Sequence, residues 1–171
     1  MKTCLSYYGG KSRIATQIVP HIMAIPHTVF IEPYFGGGAV LYAKGKIERG
    51  SQSNYCEAVN DLNKQLITFW RVAREQPEAL ARWVELTPYS QEEYREARKI
   101  YNNPTEYSDL KVAWAAYIQC NMSFSNKIEY RICSICSHSG LVKTYPKVPI
   151  LMTVVYRLLN WCIRETDHFL Q

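Results

Sequence analysis

Three consecutive glycines, Gly36-Gly37-Gly38, follow closely on a short apolar run, Val29-Phe30-Ile31, that ends at Glu32-Pro33. An unbroken apolar run of this length, closed by a glycine loop, predicts a buried parallel strand leading into a tight turn. After the loop, Ala39, Leu41 and Ala43 favour a helix over 38–44, stopped by Gly45. A second strand is expected over 54–59, ending at Asn60-Asp61. A second helix comes next, over 62–74, with Leu62, Leu66, Phe69, Trp70 and Ala73 on one stripe. Strand, helix, strand, helix within about fifty residues is the opening of a Rossmann-like parallel sheet, and the fold class is α/β.

The alternation breaks at Pro77. Pro77–Leu86, Gln91–Asn102 and 108–120 all read as helices, with no strand between them. Ser90, with Glu93 three residues on, forms a capping box that starts the second of these. Asn102-Asn103-Pro104 ends it. Three helices in a row predict an inserted helical subdomain, so the chain divides into an α/β half (1–75), a helical insert (76–127) and an atypical tail (128–171). In the tail an apolar run over 148–159 lacks a clear period, and a helix is expected over 151–164.

At 171 residues, with 47% hydrophobic and 20% charged side chains, the chain can bury a core and is not of the disordered class. No apolar run reaches the roughly 18–20 residues that span a bilayer, and the first ten residues lack the apolar core of a secretory signal. A cytoplasmic protein with no membrane partner is the expectation. The net charge of +5 is concentrated at the ends: residues 1–50 carry six basic groups against two acidic. That fits a polyanionic partner and equally an ordinary solvated surface. Of the six cysteines only Cys133 and Cys136 are close, with His138 after them. A zinc site would need to recruit Cys162 at an untypical spacing, so the cysteines read as reduced thiols with no metal.

Each motif has two readings when taken alone. The glycine loop lets backbone N–H groups approach a ligand closely, or it is simply a loop. Asp61, 23 residues past Gly38, either accepts hydrogen bonds from ribose hydroxyls or caps the next helix. Tyr8-Gly9-Gly10-Lys11, with Arg13 close behind, sets an ammonium against a carboxylate or phosphate, or is a surface turn.

In their order along the chain, Tyr8-Gly9-Gly10-Lys11, the segment 31–40 (I-E-P-Y-F-G-G-G-A-V) and the segment 60–66 (N-D-L-N-K-Q-L) together resemble the alpha-group, Dam-like family of DNA adenine-N6 methyltransferases. In that family a GGK turn opens the protein, an E-P-F-x-G-x-G loop succeeds the first strand and an N-D-x-N segment closes the second. A helical target-recognition insert comes next, and a D-P-P-Y catalytic segment after it. The resemblance, over residues 5–127, implies S-adenosylmethionine as cofactor and double-stranded DNA as partner, in a restriction–modification or phage setting. It also implies that Lys11 meets the methionine carboxylate, Glu32 lies near the amino group, and Asp61 holds the ribose. Phe35, Gly36 and Gly38 would wall the cofactor, beside Tyr8 and Gly10. The segment 117–126, with Phe124, resembles the polar loop laid on DNA, which makes Asn121, Ser123 and Asn126 the expected DNA contacts. Tyr34 stands where Phe is common.

No D-P-P-Y or N-P-P-aromatic run occurs in the 171 residues; Asn103-Pro104-Thr105 and Tyr145-Pro146-Lys147 are the nearest strings. No residue is therefore assigned to catalysis. The flipped adenine needs acceptors for its amino hydrogens and an aromatic ring to stack on. The expectation is an N-terminal part, inactive alone, whose tail departs from the family as a truncated or frame-shifted gene would. The alternative is a non-catalytic cofactor- or DNA-binding fragment completed by another polypeptide.

Overall fold

The computed structural model describes residues 3–45 and 55–123. A 3-10 turn at Lys11–Arg13 precedes α1 (Ala15–Met23), β1 (Val29–Glu32), α2 (Ala39–Lys44) and β2 (Cys56–Val59). Four helices come after them: α3 (Lys64–Glu75), α4 (Pro77–Leu86), α5 (Gln91–Asn102) and α6 (Asp109–Met122), with a 3-10 turn at Pro104–Glu106 before the last. β1 and β2 pair in parallel, Val29 opposite Cys56 and Glu32 opposite Val59. The described residues are thus a helix-rich α/β arrangement with a small two-stranded parallel sheet. The expected helix over 151–164 lies outside them.

Two local expectations need correction. β1 is buried on one face only: Phe30 and Glu32 point inward, while Val29 and Ile31 are 52% and 65% exposed. The reason is that α1 and α2 cover one side, where Ala15, Phe30, Ala39, Val40 and Tyr55 form a small core. Leu62 is not on the α3 stripe but ahead of the helix, 92% exposed. Asn63 is the N-cap, its side chain accepting from Leu66 N, so the helical phase begins after Leu62. The Ser90 cap forms as expected, with Oγ accepting from Glu93 N at 3.2 Å.

The larger core has α6 at its centre. Every residue of 112–120 is buried, and a helix enclosed on all sides needs partners all round. Those partners are α3, α4 and α5, with Cys4 and Leu5 of the N-terminal segment. Helices α4 and α5 do not enclose α6 without α3, whose Leu66, Phe69, Val72 and Ala73 join the same core. The boundary expected between 75 and 76 therefore cuts through a single hydrophobic cluster. Two polar groups inside are paired, Trp114 Nε1 donating to Thr87 Oγ1 at 2.7 Å and Gln119 Nε2 to the Tyr94 carbonyl at 3.2 Å, while Gln119 Oε1 and Tyr117 Oη have no partner among the described residues.

One buried charge fastens α2 to β2. Lys44, the last residue of α2, pairs with Glu57 and donates to Tyr55 Oη at 2.9 Å, with its ammonium over the rings of Phe30 and Tyr55. Burial alone would lower the Lys44 pKa, but the bonds to Glu57 and Tyr55 outweigh it and raise the value.

Phe69 of α3 is fully buried and stacks on Tyr117 of α6. Phe69→Ala should cost about 3–5 kcal/mol in chemical denaturation. Because the core is shared, amide exchange should accelerate in α5 and α6 as well as in α3. Unchanged exchange in α6 would mean that the helical part has a core of its own.

Candidate functional site

The parallel register brings the ends of β1 and β2 side by side, so the glycine loop and the Asn60-Asp61 turn emerge together. Phe35 N donates to the Asn60 carbonyl at 2.9 Å. Asp61 bridges the glycine loop and the start of α3: Oδ2 accepts from Gly36 N at 2.8 Å and Oδ1 from Asn63 N at 3.0 Å. Asp61 is therefore not the cap of α3, a role held by Asn63.

The glycines of the loop are required by its own geometry. Gly36 and Gly38 have φ of 54° and 70°, in the left-handed region that side chains rarely enter. A Cβ on Gly38 would sit 2.7 Å from Tyr42 Cε2 and 2.8 Å from Phe35 Cζ; one on Gly36 would lie 3.3 Å from Tyr7 Cδ1. The space beside both glycines is filled by rings of the protein itself. Phe35 is buried, its ring 5.3 Å from that of Trp70, so it lies under the loop instead of on its open side. Trp70 Nε1 donates to the Gly36 carbonyl at 3.0 Å.

Glu32, the last residue of β1, faces the GGK turn. Lys11 Nζ is 3.3 Å from Glu32 Oε1, while its aligned hydrogen bond goes to the Tyr34 carbonyl at 2.7 Å. Glu32 is only 6% exposed, and neither carboxylate oxygen is in a well-aligned hydrogen bond, although the Lys11 ammonium and the Leu41 N–H of α2 both pull on it. Burial pushes its pKa up against the opposing pull of Lys11. The turn that carries Lys11 is closed by Gly10 N donating to the Tyr7 carbonyl at 3.0 Å. Tyr8, in that turn, and Tyr34, whose carbonyl holds Lys11, are 60% and 78% exposed. An accessible ammonium beside a buried, incompletely satisfied carboxylate is complementary to a zwitterionic amino acid.

The structure thus gathers Lys11, Glu32, Gly36 and Asp61 around the strand ends. Sequence reasoning missed the groups behind them. Asn63 Nδ2 donates to Tyr101 Oη at 2.7 Å and reaches Tyr7 Oη at 3.5 Å, which links the turn after β2 to α5 and to the N-terminal segment. Burial pushes the Tyr101 pKa up to about 12. No local pattern marks such a contact. Asn121 and Ser123 are turned inward: Asn121 Oδ1 accepts from Ser6 N at 3.3 Å, its Nδ2 donates to the Tyr117 carbonyl at 3.0 Å, and Ser123 is buried. Asn126, Cys133, Cys136, His138 and Cys162 lie outside the described residues. Among the described residues no cluster of His, Cys, Asp or Glu is built to hold a metal, and no helix is long and apolar enough to cross a membrane.

A family model, D12 class N6 adenine-specific DNA methyltransferase, matches residues 7–141. The match takes in Lys11, the glycine loop, Asp61 and all of α3 to α6. No curated protein matches the chain.

The buried Glu32 carboxyl gives a pH test. Its folded pKa is raised, so between the ordinary value of 4.5 and the raised one the native state keeps a proton that the unfolded state gives up. Stability falls as pH rises through that window. Glu32→Gln should therefore be more stable than the wild type at neutral pH, and the advantage should shrink on acidification below 4.5. An advantage that is the same at both pH values in urea melts would show that the Glu32 charge is already satisfied.

Proposed function

The chain belongs to the D12 class of N6 adenine-specific DNA methyltransferases, and we propose that Lys11, Glu32, the glycine loop and Asp61 hold S-adenosylmethionine for methyl transfer to adenine in double-stranded DNA. The observation that carries this reading is the Glu32 carboxylate, buried beside the Lys11 ammonium at 3.3 Å with neither oxygen in a well-aligned hydrogen bond. Buried acceptors are nearly always satisfied, and an ammonium group of a ligand would satisfy this one. Lys11, partly exposed, suits the neighbouring carboxylate of the same ligand. Asp61 already accepts two backbone N–H groups, and a carboxylate has lone pairs left for a ribose hydroxyl. Tyr8 and Gly10 border the Lys11 turn, while Phe35, Gly36 and Gly38 shape the loop.

When bound, the cofactor supplies an electrophilic methyl on a sulfonium. The residues named above bind and orient; they do not activate the nucleophile. The amino nitrogen of adenine is a poor nucleophile because its lone pair is delocalised into the ring. Acceptors for its hydrogens and a stacking aromatic, the task of an Asp- or Asn-Pro-Pro-aromatic run, are not found in the 171 residues. In this reading residues 1–75 open a Rossmann-like core, 76–127 recognise the DNA target, and a polypeptide of these residues alone, 128–171 included, binds cofactor without turnover. The setting is a restriction–modification or phage system in the cytoplasm. A second reading, a binding fragment completed by another polypeptide, draws support from the exposed Val29 and Ile31, since parallel sheets are covered on both faces.

Calorimetry with S-adenosylmethionine tests the site. Asp61→Ala should weaken binding by about 1.5–3 kcal/mol, the range for hydrogen bonds to a charged group. It should fall at the upper end, because Gly36 N–H is released too. Unchanged affinity would remove Asp61 from the site. Radiolabelled cofactor with mixed-sequence duplex tests the chemistry. No label should reach adenine N6 at saturating cofactor, and clear transfer would reveal a catalytic segment of another form.

A further inference from the structure

We infer that Trp70, on α3, is a positioning residue that locks the Gly36–Gly37 peptide and so holds the Gly37 N–H as a donor to an oxygen of the cofactor. The inference rests on S-adenosylmethionine binding at the glycine loop.

Both polar groups of Gly36 are held by side chains. Its N–H goes to Asp61 Oδ2 at 2.8 Å, and its carbonyl accepts from Trp70 Nε1 at 3.0 Å. An indole N–H is a donor only, so a half-buried Trp70 needs an acceptor, and the one it uses belongs to a loop 34 residues away. In a trans peptide the carbonyl of one residue and the N–H of the next point in opposite directions. Fixing the Gly36 carbonyl toward α3 therefore fixes the Gly37 N–H away from it. The neighbouring amides are occupied: Phe35 N donates to Asn60 and Gly38 N to Phe35. Gly37 is buried, yet its N–H donates to no described residue. A buried amide left over when its neighbours are paired is a donor awaiting a ligand.

The indole is itself held firmly. Its ring lies 5.3 Å from Phe35, 5.8 Å from Tyr42 and 5.1 Å from Phe69, the last edge-on. Phe35 and Tyr42 are the two rings that close on Gly38. Ring packing and hydrogen bond thus act on opposite ends of the Gly36–Gly38 segment. Only the hydrogen bond sets the peptide plane.

Trp70→Phe keeps a ring at this position and removes the donor. In the full chain without cofactor, amide exchange of the peptide 34–40 should accelerate by roughly 3- to 10-fold, the equivalent of one neutral hydrogen bond. Exchange in α5 and α6 should stay unchanged, which a general loss of stability would not allow. Affinity for S-adenosylmethionine should fall by a similar factor. Unchanged loop exchange and unchanged affinity would overturn the inference. Faster loop exchange in a chain whose wild type binds no cofactor would keep the lock and overturn the cofactor reading alone. Should Trp70→Phe fail to fold, the wild-type nitrogen-15 spectrum decides. A Trp70 indole N–H that is protected and shifts on adding cofactor supports the lock; one that exchanges like an exposed indole refutes it.

Discussion

A single carboxylate sets the geometry of the strand ends. Asp61 accepts from Gly36 N on one side and Asn63 N on the other, so the loop after β1 and the helix after β2 are fastened to the same two oxygens. Each such bond to a charged acceptor contributes about 1.5–3 kcal/mol, which is ample to hold Gly36 in a left-handed conformation. With the Asn63 N–H taken, the Asn63 side chain turns to Leu66 N and α3 starts there. The start of α3 in turn determines which of its residues reach back to the loop. Trp70 is the one whose ring nitrogen does so.

Two buried charged groups near the sheet make an instructive contrast. Lys44 has Glu57 and Tyr55 as partners and two aromatic rings around its ammonium; every demand of the charge is met within the protein. It is a fastener between α2 and β2. Glu32 is equally withdrawn from water, but its ion pair to Lys11 lacks alignment and neither oxygen is in a well-aligned hydrogen bond. Leaving a charge in that condition costs stability. A chain that retains it at the mouth of a glycine loop, where a ligand can supply the missing donors, has the signature of a binding group rather than a structural one.

From β1 onward the element order was legible in the sequence because it rests on local signals, whereas α1, Ala15–Met23, was not legible there. Apolar periodicity, Pro77 in the first turn of α4, and the Ser90 cap located α3 to α5 within two residues of their observed limits. Burial was less legible. The run Val29-Phe30-Ile31 reads as buried on both faces, yet solvent access depends on what covers a strand, and α1 and α2 cover one side. Asp61 was correctly set at the end of β2, but two polar residues near a helix start compete for the cap, and pattern cannot rank Asp61 above or below Asn63. The inward turn of Asn121 is fixed by Ser6, 115 residues earlier, a contact without a local trace. Trp70 showed only its apolar side, as one member of a stripe. A hydrogen bond from an indole to a distant carbonyl is a property of the assembled chain alone.

The helical part is anchored where the loop is anchored. Phe69 and Trp70 are consecutive on α3, so their side chains leave the helix about 100° apart. Phe69 enters the core and stacks on Tyr117 of α6, while Trp70 turns to Phe35, Tyr42 and the Gly36 carbonyl. The two rings touch edge-on, so the position of one constrains the other. Tyr101 of α5 adds a second tie through Asn63, two residues past Asp61. A helical insert attached only through its two chain ends would leave the loop indifferent to how its helices pack. Here the central helix α6 is completed by α3, and α3 is also the backing of the glycine loop. The geometry of the loop is therefore inherited from the packing of the helices, through rigid contacts that need no switch between states.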